Sequence, residues 1–388
     1  MILKYTKFYY FALPDNEKEI YKQLYFGFEK FEKQIMLKCK GVDIDRIGLI
    51  AQYVYNDVPS FFYVAPSMFS YRPIHGGFCY VPTYLYSEDE KALYEERIKS
   101  GLEAFSKKYI TSSMTDYEKE KAIHDYLVTT VVYDHNAVSD PRKTVNEAFN
   151  ILGALLKRRA VCWGISCAFK LMCDWCGIKA YVIFGSPAGK TEEEDPHAWN
   201  VVVLDGEYYH VDVTWDLKEK GDVSINYDYF NIDDKLMGLS HNWDRKFHPD
   251  CKALTHNYYY RHKLYVKTLD DIVDFVKQRV RAGDSFITFK FANKTLDARR
   301  IMDRLERGLV SAGREAMMRI SPTTHNVYVE LKGGDNGMRG VGDDRGVFDG
   351  AGLPNFNPPK ATPVGGGGFQ IGGIIDGVVD FFKGLFKG

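Results

Sequence analysis

After Val161 the chain switches hydrophobic period twice in a short stretch. Ile165, Phe169, Met172, Cys173 and Cys176 recur at three- or four-residue steps, which predicts a helix over 162–176 capped by Gly177. Residues 197–204, centred on Val201, Val202 and Val203, and residues 207–213 then read as strands. Asp205-Gly206 between them is a strong hairpin signal. Upstream, the pattern predicts a strand at 5–13, a helix at 15–32, a strand at 34–38, a helix at 43–55, a strand at 61–65 and a charged helix over 88–110. Downstream, strands are expected at 258–266, 286–291 and 327–331, with helices at 269–281 and 296–309. Both ends therefore read β-α-β-α-β.

The hairpin gives two polar residues a relationship. With a two-residue loop, facing positions sum to 411, so His197 faces Thr214 and Trp199 faces Asp212. His197 and Asp212 are then diagonal neighbours of the same parity, with Cα atoms ~7–8 Å apart and side chains in reach of one another. Cys162 falls at the first turn of the predicted helix, where free N–H groups and the helix dipole favour a thiolate and could donate to an oxyanion. Arg158 and Arg159 add positive charge just upstream. A thiol, an imidazole and a carboxylate in these settings supply a nucleophile, a base and an orienter. Each alone has an ordinary structural reading: a small core thiol, a strand-end histidine, an aspartate bound to a backbone amide.

The stretch from about Glu118 to Trp243 resembles the transglutaminase-like superfamily of bacterial cysteine hydrolases. The resemblance is carried by His124-Asp125-Tyr126-Leu127, Val132-Tyr133-Asp134, Gly153-Ala154-Leu155, Cys162-x-Gly164, His197-Ala198-Trp199-Asn200 and Tyr209-His210-Val211-Asp212-Val213-Thr214-Trp215-Asp216. Ala160 and Ile165 depart from its usual pattern. The likeness implies a papain-like α+β core, with a nucleophile helix packed on an antiparallel sheet, and the roles nucleophile for Cys162, base for His197 and orienter for Asp212. With the hydropathy pattern it gives an expected organisation: an accessory α/β domain at 1–75, a catalytic core with its leading helix at 76–256, and a ferredoxin-like domain at 257–332. A flexible Gly/Pro/Asp-rich linker at 333–370 and an amphipathic tail at 371–388 follow.

Composition removes several function classes. The chain has 388 residues, with 51 basic and 52 acidic ones, so bulk charge makes no case for nucleic acid. Seven cysteines without a regular framework fit a reducing compartment, hence a cytoplasmic setting, as does a start with no signal-peptide pattern. Cys173-x-x-Cys176 lacks a second ligand pair at zinc spacing, and the Asp-Gly pairs of the linker lack the period of calcium-binding repeats, so no metal or cofactor is expected. No apolar run reaches membrane-spanning length. Ile371, Ile374, Ile375, Val378, Val379, Phe381, Phe382, Leu385 and Phe386 form one helical stripe in the tail. Behind a flexible leash, residues 371–387 read as a docking element for a membrane surface or a protein groove.

The expected activity is cysteine-dependent hydrolysis of peptide or amide bonds through a thioacyl-enzyme. Transamidation, in which an amine resolves the same intermediate, and a non-catalytic binding module are the alternatives. Acceptor choice depends on water exclusion, which a sequence does not display.

Overall fold

The computed structural model describes residues 5–139, 147–218, 225–291, 298–321 and 326–332, together with the backbone of 370–372. Its helices start where the chain supplies caps. Asp43 accepts from Arg46 N–H at 2.7 Å to open Ile44–Asp57. Capping boxes Ser87/Glu90 and Thr115/Glu118 open Glu88–Tyr109 and Asp116–Thr130.

At the centre is an antiparallel sheet of five strands, in the order His241–Asn242, Lys179–Pro187, His197–Leu204, Glu207–Val211 and Phe230–Ile232. The helix Cys162–Trp175 lies on one face of it, against Ala198, Val202 and Leu204. Trp199, Val201, Tyr181 and Ile183 form a second apolar layer. Residues of the 197–204 strand thus alternate between the two layers, as strand geometry requires. A mixed α/β fold with a helix on an antiparallel sheet is the architecture expected for this segment.

The N-terminal segment differs from the expected β-α-β-α-β unit. Residues 5–13 form the short helix Phe8–Ala12 instead of a strand. Four consecutive aromatics favour a strand by local propensity, but the buried Asp57 carboxylate overrides it. Its two oxygens accept from Tyr9 N–H at 3.1 Å and Tyr10 N–H at 3.0 Å. Residues 59–61 are a 3-10 turn, and the strand expected at 61–65 begins at Val64 and runs to Ile74. It pairs with Gly77–Tyr84, a strand absent from the sequence reading, so the expected domain boundary at residue 75 falls in a hairpin turn. Moreover, Leu24, Phe28, Val54 and Phe62 share one continuous apolar cluster with Leu155, Phe169 and Val202 of the central unit.

The C-terminal unit has its own core, built from Ile272, Val276, Phe289, Ile301, Leu305 and Val329. Residues 258–266 are not a single strand. Asn257 caps the helical turn Tyr258–Arg261, and only Tyr265–Val266 is extended. The added strand Ala316–Ile320 completes a four-stranded sheet. Tyr328 Oη donates to Asp228 and to Asn226 Oδ1, fastening this unit to the central one. Gln370–Gly372 runs antiparallel to Val64–Ile74, so Ile371 and Gly372 are extended where the tail helix was expected. The linker 333–369 and tail 373–388 lie outside the described residues. No described helix is long and apolar enough to cross a membrane.

Candidate active site

The hairpin register is the one the turn dictates. Asn200 faces Val211, Val201 faces His210 and Leu204 faces Glu207, each pair summing to 411. Asp205 and Gly206 both have positive φ, 51° and 83°, as a type I′ turn demands. The ladder stops at Val211. Asp212 turns away from it, its N–H donating to Tyr229 O at 3.0 Å, and its Oδ1 accepts from Trp215 N–H at 3.1 Å. Its Oδ2 lies 2.6 Å from His197 Nε2. Asp212 is fully buried and His197 is 6% exposed.

Cys162 is the first residue of its helix and partly exposed. Two reciprocal bonds lock that helix to the histidine strand. Ser166 Oγ donates to Ala198 O at 3.0 Å, and Asn200 Nδ2 donates to Ser166 O at 3.0 Å. The helix start also depends on Gly164, where a Cβ would stand 2.4 Å from Ala148 O. The result places the Cys162 sulfur beside the His197 imidazole, close enough to favour its charged form. With Nε2 held by Asp212, Nδ1 is the imidazole nitrogen left for the thiol.

The charges follow from these contacts. Burial opposes a charged His197, but the Asp212 carboxylate and the Cys162 sulfur outweigh it, and its pKa is pushed up to about 10. Burial likewise opposes an ionised Asp212, yet His197 and His241 hold it below the usual carboxylate range. The pair is therefore an imidazolium and a carboxylate at neutral pH.

Two residues that the sequence reading gave no role complete the site. The Tyr133 hydroxyl is in hydrogen-bonding contact with Cys162, brought there because Val132–Tyr133 pairs with Arg159–Ala160 just before the nucleophile helix. Val132-Tyr133-Asp134 was visible as a family motif, and this contact is its physical content. The other is His241, whose Nε2 lies 3.1 Å from the same Asp212 oxygen. Nothing in the sequence marks it.

Arg158 and Arg159, expected to add charge near Cys162, and the other polar residues of this segment stand elsewhere. The Arg158 guanidinium lies over the Tyr126 ring, and Arg159 sits 3.9 Å from Asp134. His210 accepts from Trp199 Nε1–H at 3.1 Å and reaches Asp234 at 2.9 Å. His124 is buried between Asp125 and Asp216. Cys173 and Cys176 are both free thiols on the packing side of their helix.

Two clusters bring three ligand-type atoms within 4.8 Å of one another: His197, Asp212 and His241, and His210, Asp234 and Cys251. In the first, both imidazoles spend Nε2 on Asp212. In the second, Nδ1 of His210 accepts a hydrogen bond from Trp199 Nε1–H, so Nε2 carries the ring's own proton and has no lone pair for a metal. Neither is assigned as a metal centre. A cavity of about 790 Å³, lined by Phe8, Asp174, Tyr181, Tyr208 and Phe247, lies toward the far end of the nucleophile helix; Cys162, His197 and Asp212 do not line it.

The chain is 25% identical over 259 residues to kyphoscoliosis peptidase of Homo sapiens, and 25% identical over 260 residues to that of Mus musculus. Each alignment covers 61% of this chain and 39% of the relative, so the chain matches well under half the length of these proteins. Among solved structures, a TGase is similar with TM-score 0.28 and 18% identity, covering 50% of this chain and 53% of that one. A protein described as a cysteine protease, from Cytophaga hutchinsonii, has TM-score 0.24 and 20% identity, covering 35% of this chain and 51% of that one. Residues 103–213, which hold the nucleophile helix, His197 and Asp212, match the transglutaminase-like superfamily model, and the core of this chain is a transglutaminase-like domain.

Proposed function

We propose that the protein is a thiol hydrolase of peptide or amide bonds, with Cys162 as nucleophile, His197 as base and Asp212 as orienter. One observation carries the reading: a single imidazole stands between a fully buried carboxylate and a partly exposed thiol at a helix start. The Cys162 sulfur, as thiolate, adds to the amide carbonyl carbon. The oxyanion is received by N–H groups of the first helical turn, which have no acceptor four residues back, and by the Tyr133 hydroxyl. Imidazolium His197 gives its Nδ1 proton to the leaving nitrogen, the C–N bond breaks, and a thioester remains on Cys162. The neutral imidazole then takes a proton from water as that oxygen attacks the thioester. The acid leaves and the thiolate returns. Hydrolysis is favoured over transfer to an amine because the curated relatives are named peptidases.

The test is incubation with candidate peptides, with and without a primary amine, read by mass spectrometry. Expected are cleaved amides carrying added water, and no product from Cys162→Ala. Amine incorporation without cleavage would make the protein a transamidase. Full activity in Cys162→Ala would remove the thiol from the mechanism.

A further inference from the structure

We propose that His241 is a positioning residue for this site, a neutral imidazole that donates its Nε2 proton to Asp212 and fixes the carboxylate that orients His197. The inference rests on the Cys162–His197–Asp212 reading and adds a residue to it.

Asp212 Oδ2 lies 2.6 Å from His197 Nε2 and 3.1 Å from His241 Nε2. An ionised carboxylate only accepts, so both nitrogens carry protons. His241 is fixed from its other side too. Its Nδ1 lies 2.8 Å from Ser240 Oγ, which is itself in hydrogen-bonding contact with Tyr229. Ser240 Oγ also lies 3.3 Å from Met237 O, but its one proton goes to the nearer acceptor, so Ser240 donates to a bare Nδ1 and Nε2–H of a neutral ring donates to Asp212. A charged His241 would put its proton on Nδ1 and a second cation beside imidazolium His197, with ring centroids 5.4 Å apart.

The surroundings leave little else to compensate a charge. Trp215 stands 4.2 Å and Trp199 5.0 Å from the His241 ring, centroid to centroid. The titratable groups around the ring are Asp212, His197, His210 and Tyr229. Burial lowers the affinity of His241 for a second proton, as does the charge of His197, against the pull of Asp212. Backbone geometry shows how the ring arrives. His241–Asn242 pairs with Pro187 and Ser186 at the sheet edge. It can come that close because residue 185 is glycine: a Cβ there would stand 2.0 Å from Asn242 O and 2.5 Å from the Trp199 ring.

The consequence is divided acceptance. Asp212 answers two donors, so its rotamer does not depend on His197 alone. When His197 gives its proton to a leaving group and its ring shifts, the carboxylate stays in place.

The experiment compares the wild-type chain with His241→Phe, His241→Asn and His241→Gln. Phe keeps the ring and loses the donor. Asn places its amide near the Nδ1 position and loses the donor to Asp212. Gln restores an N–H near the Nε2 position. Thermal melts establish which variants are folded. Iodoacetamide labelling of Cys162 near about pH 6 needs no substrate and reads the imidazole-supported thiolate. The expected result is a labelling rate about 10–100-fold lower in His241→Phe and His241→Asn, the size of one hydrogen bond to a charged group, with His241→Gln within about threefold of wild type. On a cleavable peptide, the alkaline limb of kcat/KM should move down by about 0.5–1 unit in Phe and Asn, since a carboxylate no longer fixed supports imidazolium His197 less well, and return in Gln. Folded Phe and Asn variants with wild-type rate and profile would overturn the assignment and leave the triad standing. A wild-type chain in which Cys162 is not preferentially labelled would overturn the triad reading and this proposal together.

Discussion

His197 and Asp212 do not pair across the hairpin, yet their side chains meet at 2.6 Å. Ladder pairing ends at Asn200 and Val211, and the carboxylate reaches the imidazole from just beyond that end. Asp212→Asn keeps the shape and can still accept from Trp215 N–H, but it loses the negative charge that holds His197 Nε2–H. Turnover should fall by about 10²–10⁴-fold in a chain that still folds, with a lower melting temperature from the lost ion pair. Near wild-type activity in this variant would move the orienting role elsewhere. Asn200 and Asp216 are poorly placed for it, because Asn200 is bonded to Ser166 O and Asp216 to His124 and Tyr229 N–H.

Among the seven cysteines, Cys162 should be the one labelled by a limiting alkylator. Burial pushes the Cys167, Cys173 and Cys251 thiols well above the ordinary range and raises Cys176 to about 11. Cys39 and Cys79 are buried as well. Peptide mapping of the adduct decides it, and first labelling at Cys176 would contradict the site.

Stability should depend on pH through His197 in a stated direction. Its folded pKa, about 10, is raised above the ordinary histidine value of 6.5. Its contribution is therefore whole below 6.5 and is lost as pH rises through about 10. Asp212 is depressed instead, so its share persists above 3.8 and is lost as pH falls toward its folded value. Denaturant melts of wild type and His197→Gln should show a gap that narrows steadily from pH 6.5 to about 10. A gap that stays constant over that range would mean the imidazole is not charged in the folded chain.

His210→Gln and His124→Gln should retain turnover and lose about 1–3 kcal/mol of stability, the cost of buried polar partners left unpaired. His210 bridges Trp199 and Asp234, and His124 bridges Asp125 and Asp216. Loss of activity in a fully folded variant would show that a second imidazole takes part in proton transfer.

Some of this site was legible in the chain and some was not, for physical reasons. The Asp205-Gly206 turn fixes its own register as far as Asn200 and Val211, but the expected pairs His197/Thr214 and Trp199/Asp212 do not form, and Asp212 meets His197 from beyond the end of the ladder. The Cys162 helix announced itself by apolar spacing. His241 did not, because it sits 29 residues beyond Asp212 and owes its place to an edge strand of two residues. Phe8–Ala12 misled for the opposite reason. Its aromatics favour a strand locally, and the carboxylate that makes it helical is Asp57, 47 and 48 residues away. The Gly77–Tyr84 strand was missed because alternation is weak where Gly, Cys, Pro and Thr interrupt it.

The stretch recognisable as transglutaminase-like is smaller than the piece of chain able to hold it up. Trp163, next to the nucleophile, donates its indole N–H to Asn56 at 2.9 Å, and Tyr55 meets the same indole edge-on. A fragment trimmed to residues 103–213 would keep the whole nucleophile–base–orienter set. It would lose the floor on which the Cys162 helix stands, and leave Ile165, Phe169 and Met172 short of partners. The smallest stretch able to hold the Cys162 helix in place thus begins near the first N-terminal helices, and recombination that exchanges segments at the visible motif borders would separate that helix from its foundation.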